Sequence, residues 1–212
     1  MPNWCINNIS IKGDIDNMKP MVDKLETINK KGLLDTFYPL PTELENTTKP
    51  PRELSEQESE ELIKKYGFNN WYDWRVYNYG TKWSDDETNI SKDDDTELSG
   101  YFNTAWSPPE MGIRYISKRF KNNTFEVDYF EPGMDYMGSF KYLNGICHNE
   151  IYIDEMSRLI REHINLPEDT DDEYYESDEW YDTQWEKQLE TLEHIKNEIY
   201  KEKNAKTKNN ND

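Results

Sequence analysis

Hydrophobic positions along the chain switch repeatedly between a period of two and a period near 3.6, and the switches mark out its elements. In WCINNISIKG, Ile9 and Ile11 fall on one pleat face and Trp4 and Ile6 on the other before Gly13 breaks the run, which predicts a strand over residues 4–12 buried on both sides. Met18, Met21, Val22, Leu25 and Ile28 then recur at helical spacing, predicting a helix over 16–30 with Asp16 or Asn17 as cap and Pro20 near its first turn. LSGYFNTAWS returns to alternation, with Phe102, Thr104 and Trp106 on one side. The following SPPE predicts a second helix over 108–120, with Ser107 as N-cap, Pro108 at the first position and Glu110 three residues after the cap. Ile113, Ile116 and Phe120 form its apolar stripe, and TFEVDYF and GSFKYLNG read as further strands through Phe125, Val127, Tyr129, Phe140 and Tyr142.

Two stretches do not belong to that alternation. Between about residues 45 and 97 lies an insertion in which ELSEQESEELIKKYG is a charged helix stopped by Gly67 and NNWYDWRVYNYG a short one stopped by Gly80. SDDETNISKDDDTE closes the insertion and reads as a solvated acidic loop. The second stretch is the C-terminal extension, residues 168–212. Trp185, Leu189, Leu192, Ile195 and Ile199 predict an amphipathic helix over 178–202 that must dock on its own domain, on a copy of itself as a homodimer, or on a partner. The polar end after it reads as disordered.

The order strand, helix, strands, helix, strand fits an α+β sandwich with helices on one sheet face, occupying residues 1–167. Within it, MPNWCINNISIKG, FYPLPTEL, WYDWRVYNYGTKW, FNTAWSPP and YFEPGM occur in the order that resembles the YubB-like family of phage and plasmid proteins, over about residues 1–145. The resemblance implies a ferredoxin-like split βαβ fold and a mobile-element origin. It brings no catalytic residue, and it leaves residues 168–212 unexplained.

Charge narrows the partners. Forty-four acidic against 25 basic residues give a net charge of −19, which disfavours direct binding to duplex DNA and favours a protein with a basic cleft. Cys5 and Cys147 lack metal-ligand spacing, the N-terminal residues lack a charged leader or apolar signal run, and no stretch reaches membrane-spanning length. The expectation is a reduced, soluble protein of the host cell cytoplasm, without membrane contact.

The chain offers little catalytic chemistry. Nine glycines include no phosphate-cradling motif, Cys147 and His148 have no defined partner in His163 or His194, and Asp14/Asp16 and Asp169/Asp171/Glu173 lack the rest of a calcium loop. No enzyme, cofactor or metal site is expected. Two binding surfaces are. The tail carries twelve acidic residues and one lysine between Glu168 and Glu193, interleaved with aromatics. There Asp171, Asp172, Glu173, Glu176, Asp178 and Glu179 would steer a cationic partner while Tyr175, Trp180 and Trp185 anchor it. The function so implied is non-enzymatic protein binding by a mobile-element accessory protein, as a nucleic-acid-mimic-like inhibitor of a host defence or nucleic-acid-processing factor. The alternative places a small-ligand or nucleic-acid stacking site on Trp71, Trp74, Arg75 and Lys82, unless Trp71, Trp74 and Trp83 are simply core.

Overall fold

A computed structural model describes residues 3–52, 54–167, 170 and 177–209. Strand β1 (Trp4–Lys12) buries Cys5, Asn7, Ile9 and Ile11 on one face; the opposite face, expected to be buried too, stays half open. The helix expected over 16–30 is two helices, α1 (Ile15–Val22) and α2 (Leu25–Lys31). The ladder tightens between them, where the Lys24 N–H bonds the Met21 carbonyl. The N-cap of α1 is Asp14, which accepts from the Asn17 N–H, and neither Asp16 nor Asn17 takes that role. Short helices α3 (Leu33–Phe37) and α4 (Thr42–Glu45) lead to α5 (Glu56–Tyr66) and α6 (Trp71–Tyr79). These last two end at left-handed Gly67 and Gly80 as expected, and Ser55 and Glu58 add a reciprocal capping box to α5.

The stretch read as an acidic loop instead forms β2 (Asp86–Lys92), hairpin-paired with β3 (Glu97–Ala105). Ile90 buries its side chain there, and Asn29 of α2 bonds both its N–H and its carbonyl, so the sheet edge is covered at that point. Trp106 leaves the alternation: it turns left-handed at φ 72° and is exposed. Helix α7 (Glu110–Arg119) begins later than expected. Its N-cap is Pro109, Ser107 donates instead to the Gly80 carbonyl, and Glu110 accepts from the Tyr142 hydroxyl. Strands β4 (Thr124–Glu131), β5 (Tyr136–Leu143) and β6 (Ile146–Asp154), then α8 (Met156–His163) and α9 (Asp178–Asn209), complete the chain.

The sheet runs β2-β3-β1-β4-β5-β6 with every neighbouring pair antiparallel. Strands β3 and β4 flank β1, run parallel to one another and are joined through α7, which is the split βαβ arrangement of a ferredoxin-like α+β fold. Strands β5 and β6 extend it as a meander. Helices α1–α7 lie on one face over a core that includes Ile9, Ile11, Phe102, Ile116, Phe125 and Val127, with Val22 and Leu25 packed at its border. A second, smaller core on the other face joins Phe130 and Met137 of the sheet to Met156 and Ile160 of α8 and Trp180 and Leu192 of α9. The tail helix therefore packs on its own domain.

Candidate binding groove on the open sheet face

Because β-strand side chains alternate, Glu126 and Asp128 share a face with Phe130, and α9 lies across them. Lys196 is buried at 5 % exposure, with its ammonium 3.0 Å from Glu126, 3.1 Å from Asp128 and 2.8 Å from Glu193. Lys141 meets the other oxygen of Glu126 at 3.0 Å. Burial would pull the Lys196 pKa down, but the hydrogen bond to Glu193 and the charges of Asp128 and Glu126 hold it above the ordinary lysine value. Burial pushes Asp128 up despite Lys196, whereas in Glu126 the same penalty is outweighed by bonds from Lys141 and Lys196 and its carboxyl sits low. The seat of α9 is accordingly polar: Gln184, Gln188 and Thr191 are buried beside Lys196, and Gln184 donates to Ser157 at 2.6 Å.

The helix covers β4 and β5 and stops short of the β1–β3 side. There a groove of about 540 Å³ opens, floored by Trp4, Ile6 and Asn8 of β1 and Tyr101 and Asn103 of β3, and walled by Trp185, Gln188 and Leu189 of α9. Ile6 pairs with Asn103 and Asn8 with Tyr101 across the two strands, which fixes the floor. Trp4, Tyr101, Leu189 and Trp185 are 38, 42, 40 and 60 % exposed. Glu87 stands at the rim, held by Asn103 at 2.8 Å. Through Asn8 and Tyr101 the groove continues into a recess of about 530 Å³ lined by Glu97, Glu126, Asp128 and Glu193, with Lys12 and Lys196. Both lysines are engaged by these acids. One end of the channel is aromatic and the other is anionic.

The tail residues expected to hold a partner fall in different places. Asp171, Asp172, Glu173, Tyr175 and Glu176 lie outside the described residues, as do Asp169 and the 174 position between them. Asp178 opens α9, and Glu179 is exposed. Trp180 sits in the second core at 4 % exposure, so a partner does not reach it while α9 is docked. Of the two named aromatics that are described, Trp185 faces the groove. The groove floor itself, Trp4, Ile6 and Tyr101, was missed, although Trp4 and Ile6 were placed on the face away from Ile9; no local signal tells which part of that face a distant helix leaves bare.

The residues of the alternative site divide as well. Trp74 is core, packed 5.2 Å from Tyr38 and 5.3 Å from Tyr79 between ring centroids. Trp71, Arg75 and Trp83 border a recess of about 350 Å³ with Leu40 and Glu45, and Lys82 stands 4.6 Å over the Trp83 ring. The Arg75 guanidinium is 3.8 Å from Asp35, and its buried Nε has no acceptor. Cys147 and His148 are exposed on β6, and His163 and His194 approach each other at 5.2 Å without either. Among the described residues no three His, Cys, Asp or Glu side chains form a metal-sized cluster, and no helix is long and apolar enough to cross a membrane.

Residues 78–175, from the end of α6 through α8, match the family model of a ferredoxin-like domain in Api92-like protein. That match agrees with the strand order and establishes the ferredoxin-like α+β class. Among solved structures the chain is similar to protein api92 from Yersinia pseudotuberculosis, at 12 % identity and a TM-score of 0.46, over 72 % of this chain and 98 % of that one. No curated protein matches the chain. The match is to Api92-like protein; the YubB-like resemblance and a mobile-element origin rest on the sequence motifs alone.

Proposed function

We propose that this protein is a non-enzymatic binding protein that takes a basic segment of a partner protein, anchored by an apolar side chain, into the groove between α9 and the β1–β3 floor. The observation behind the proposal is the channel's two-ended chemistry. Trp4, Ile6, Tyr101, Trp185 and Leu189 come from three elements to line one cavity, beside a recess carrying four carboxylates. Exposed aromatics that converge from separate elements supply binding area at low entropic cost, and a cluster of acids that outnumbers its lysines favours Lys or Arg. The net charge of −19 adds long-range attraction for such a segment. Combined with the mobile-element resemblance, the partner class would be a nucleic-acid-processing or defence factor of the host that presents such a basic segment at the edge of its nucleic-acid cleft.

The test is a fluorescence titration with two tryptophan-free peptides that share Leu and Phe anchors, one rich in Lys and Arg, the other in Glu. The basic peptide should bind, lose affinity as salt rises, and weaken about tenfold or more with Trp185→Ala or Tyr101→Ala. Equal binding of the acidic peptide would overturn the reading. So would concentration-dependent self-association abolished by Trp185→Ala, which would give the groove to a second copy of the chain. A second reading, a small-ligand or nucleic-acid module on segment 71–83, draws on the buried Arg75 Nε without an acceptor, but Asp35 already pairs with that guanidinium and Glu45 lines the same recess.

A further inference from the structure

On the side of the molecule that carries α6 and α7 lies a cleft of opposite character. About 420 Å³ in volume, it opens between the C-terminal part of α6, one face of α7 and the β5–β6 turn. Volumes of this order accommodate small ligands. None of its ten lining residues is acidic, in a chain where acids outnumber bases 44 to 25. Its cations are Arg114 and Lys118, four apart and so on one face of α7. Neither forms an ion pair among the described residues, so both charges are available to an anion in the cleft.

The cleft is held in shape. The turn at Asn144–Gly145 is fastened to α7 twice: Arg114 Nε donates to the Gly145 carbonyl at 3.2 Å, and the Gly145 N–H donates to Ser117 Oγ at 3.0 Å. The first contact uses Nε, so the terminal nitrogens of the exposed Arg114 are not consumed by it. On the other wall Tyr115 stacks on Tyr38 at 3.5 Å between centroids with the planes 10° apart. Tyr38 is fixed in turn by donating to Asn78 Oδ1 at 2.6 Å. Burial, with the neighbouring Tyr115 and Tyr77, pushes Tyr38 up to about 12, so it remains a neutral donor in ordinary buffers. Tyr115 is 38 % exposed and Tyr77 66 %, so the cleft offers a braced aromatic surface beside two unpaired cations.

We propose that this cleft binds a nucleoside monophosphate, its base stacked on Tyr115 and its phosphate held by Arg114 and Lys118. A planar ring joined to a compact dianion is the ligand class that uses both features, since base–aromatic stacking and charge-assisted bonds to phosphate each contribute measurably. A longer nucleic acid strand would carry further phosphates beyond the two cations and onto a protein of net charge −19, where they gain repulsion and no further contact of this kind. Of the aromatic segment 71–83 only Tyr77 and Asn78 take part, and Trp71, Trp74, Arg75 and Lys82 do not.

The experiment is calorimetric titration of the full chain at low salt with adenosine monophosphate, inorganic phosphate, adenosine and a ten-nucleotide single strand. Adenosine monophosphate should bind about tenfold or more tighter than phosphate or adenosine alone, and tighter than each nucleotide equivalent of the strand. Lys118→Gln, which breaks no contact within the fold, should weaken it about tenfold at an unchanged Tm, and Tyr115→Leu should lower affinity for the nucleotide while leaving that for phosphate unaltered. Absent binding at millimolar nucleotide, nucleotide affinity no better than that of phosphate, or indifference to Lys118→Gln overturns the proposal. A strand that binds ten times more tightly than the nucleotide also overturns it, and assigns the cleft to single-stranded nucleic acid.

Discussion

Lys196 of α9 places its buried ammonium 3.1 Å from Asp128 on β4, and through this contact the C-terminal helix is locked to a sheet face on which Asp128 would otherwise lack a cation, Glu126 keeping Lys141. Replacing the lysine by Met should destabilise the fold by about 2 kcal/mol, below the ~3–5 kcal/mol typical of a fully dry pair, because Glu126 and Asp128 keep partial contact with water. The pH dependence follows from the sign of the shift. Lys196 is held above its unfolded-state value, so its contribution is complete below about pH 10.5 and is lost as the pH rises through the folded-state pKa. Urea unfolding at pH 7 and pH 11 should show the parent losing more stability than Lys196→Met between the two; equal losses would mean that the contact does not hold the helix.

Trp180 and Trp185 lie five residues apart on α9 and should respond oppositely to truncation. Trp180→Ala removes a ring from the second core and should cost about 3 kcal/mol, whereas Trp185→Ala, at 60 % exposure, should change stability by less than about 0.5 kcal/mol. Thermal melts of the two variants decide it. A large loss at Trp185 with none at Trp180 would require α9 to be rotated on its seat.

That rotation marks where sequence reasoning stopped. Period-two alternation located β1, β3, β4 and β5, because Ile9, Ile11, Phe102, Phe125, Val127 and Phe140 face the larger core, whose lining is mostly apolar. The same logic assigned Trp185 and Leu189 to the buried stripe of the tail, yet α9 buries Trp180, Gln184, Gln188, Thr191 and Lys196 as well as Leu192. Its binding surface contains Glu126 and Asp128, so the matching helix face is partly polar, and a hydrophobic-period argument cannot see a polar seat. Strand β2 escaped for a related reason: Ile90 is its one buried residue in an otherwise acidic run, and its edge is satisfied by the side chain of Asn29, 61 positions away. Strand β6 is an edge with Ile151 as its buried residue, leaving too little alternation to register.

The two cysteines should separate cleanly by reactivity. Cys5 is wholly buried, and burial, reinforced by the charge of Glu131, pushes its thiol far above the ordinary range; Cys147 is exposed at the edge strand. A disulfide reagent at pH 8 should titrate one thiol in the native protein, mapped to Cys147, and the second only in denaturant. Two thiols reacting at similar rates without denaturant would contradict the packing of β1.

The aromatic segment 71–83 gives a prediction about stability and binding together. Trp74 is packed against Tyr38 and Tyr79, whose hydroxyl donates to Asp35 at 2.8 Å. Trp74→Ala should therefore cost about 3 kcal/mol. It should also loosen Tyr38 and, through the Tyr38–Tyr115 stack, weaken nucleotide binding at the cleft indirectly. A variant that melts like the parent while losing a ligand would make Trp74 a contact residue instead of a core one.

Gly100 tests the strand that the sequence concealed. It lies between Ile9 of β1 and Ile90 of β2, opposite both in the register of β3. Because the N–H and carbonyl of Ile90 are directed outward to Asn29, Ile90 and Gly100 form a non-hydrogen-bonded pair, the kind in which opposing backbones approach most closely. A Cβ on Gly100 would come within 2.1 Å of the Asn89 carbonyl oxygen and 2.7 Å of Ile90 Cα, both backbone atoms that cannot swing aside. Gly100→Ala should consequently force β2 away from β3, costing about 2 kcal/mol or more and exposing the amides of 89–92 to rapid hydrogen exchange. Asn29→Ala should affect the same amides by a different route, leaving Ile90 with unmade bonds at a cost of about 1–2 kcal/mol. If Gly100→Ala melts like the parent and its exchange pattern is unchanged, residues 86–92 do not form the edge strand and the acidic-loop expectation is restored.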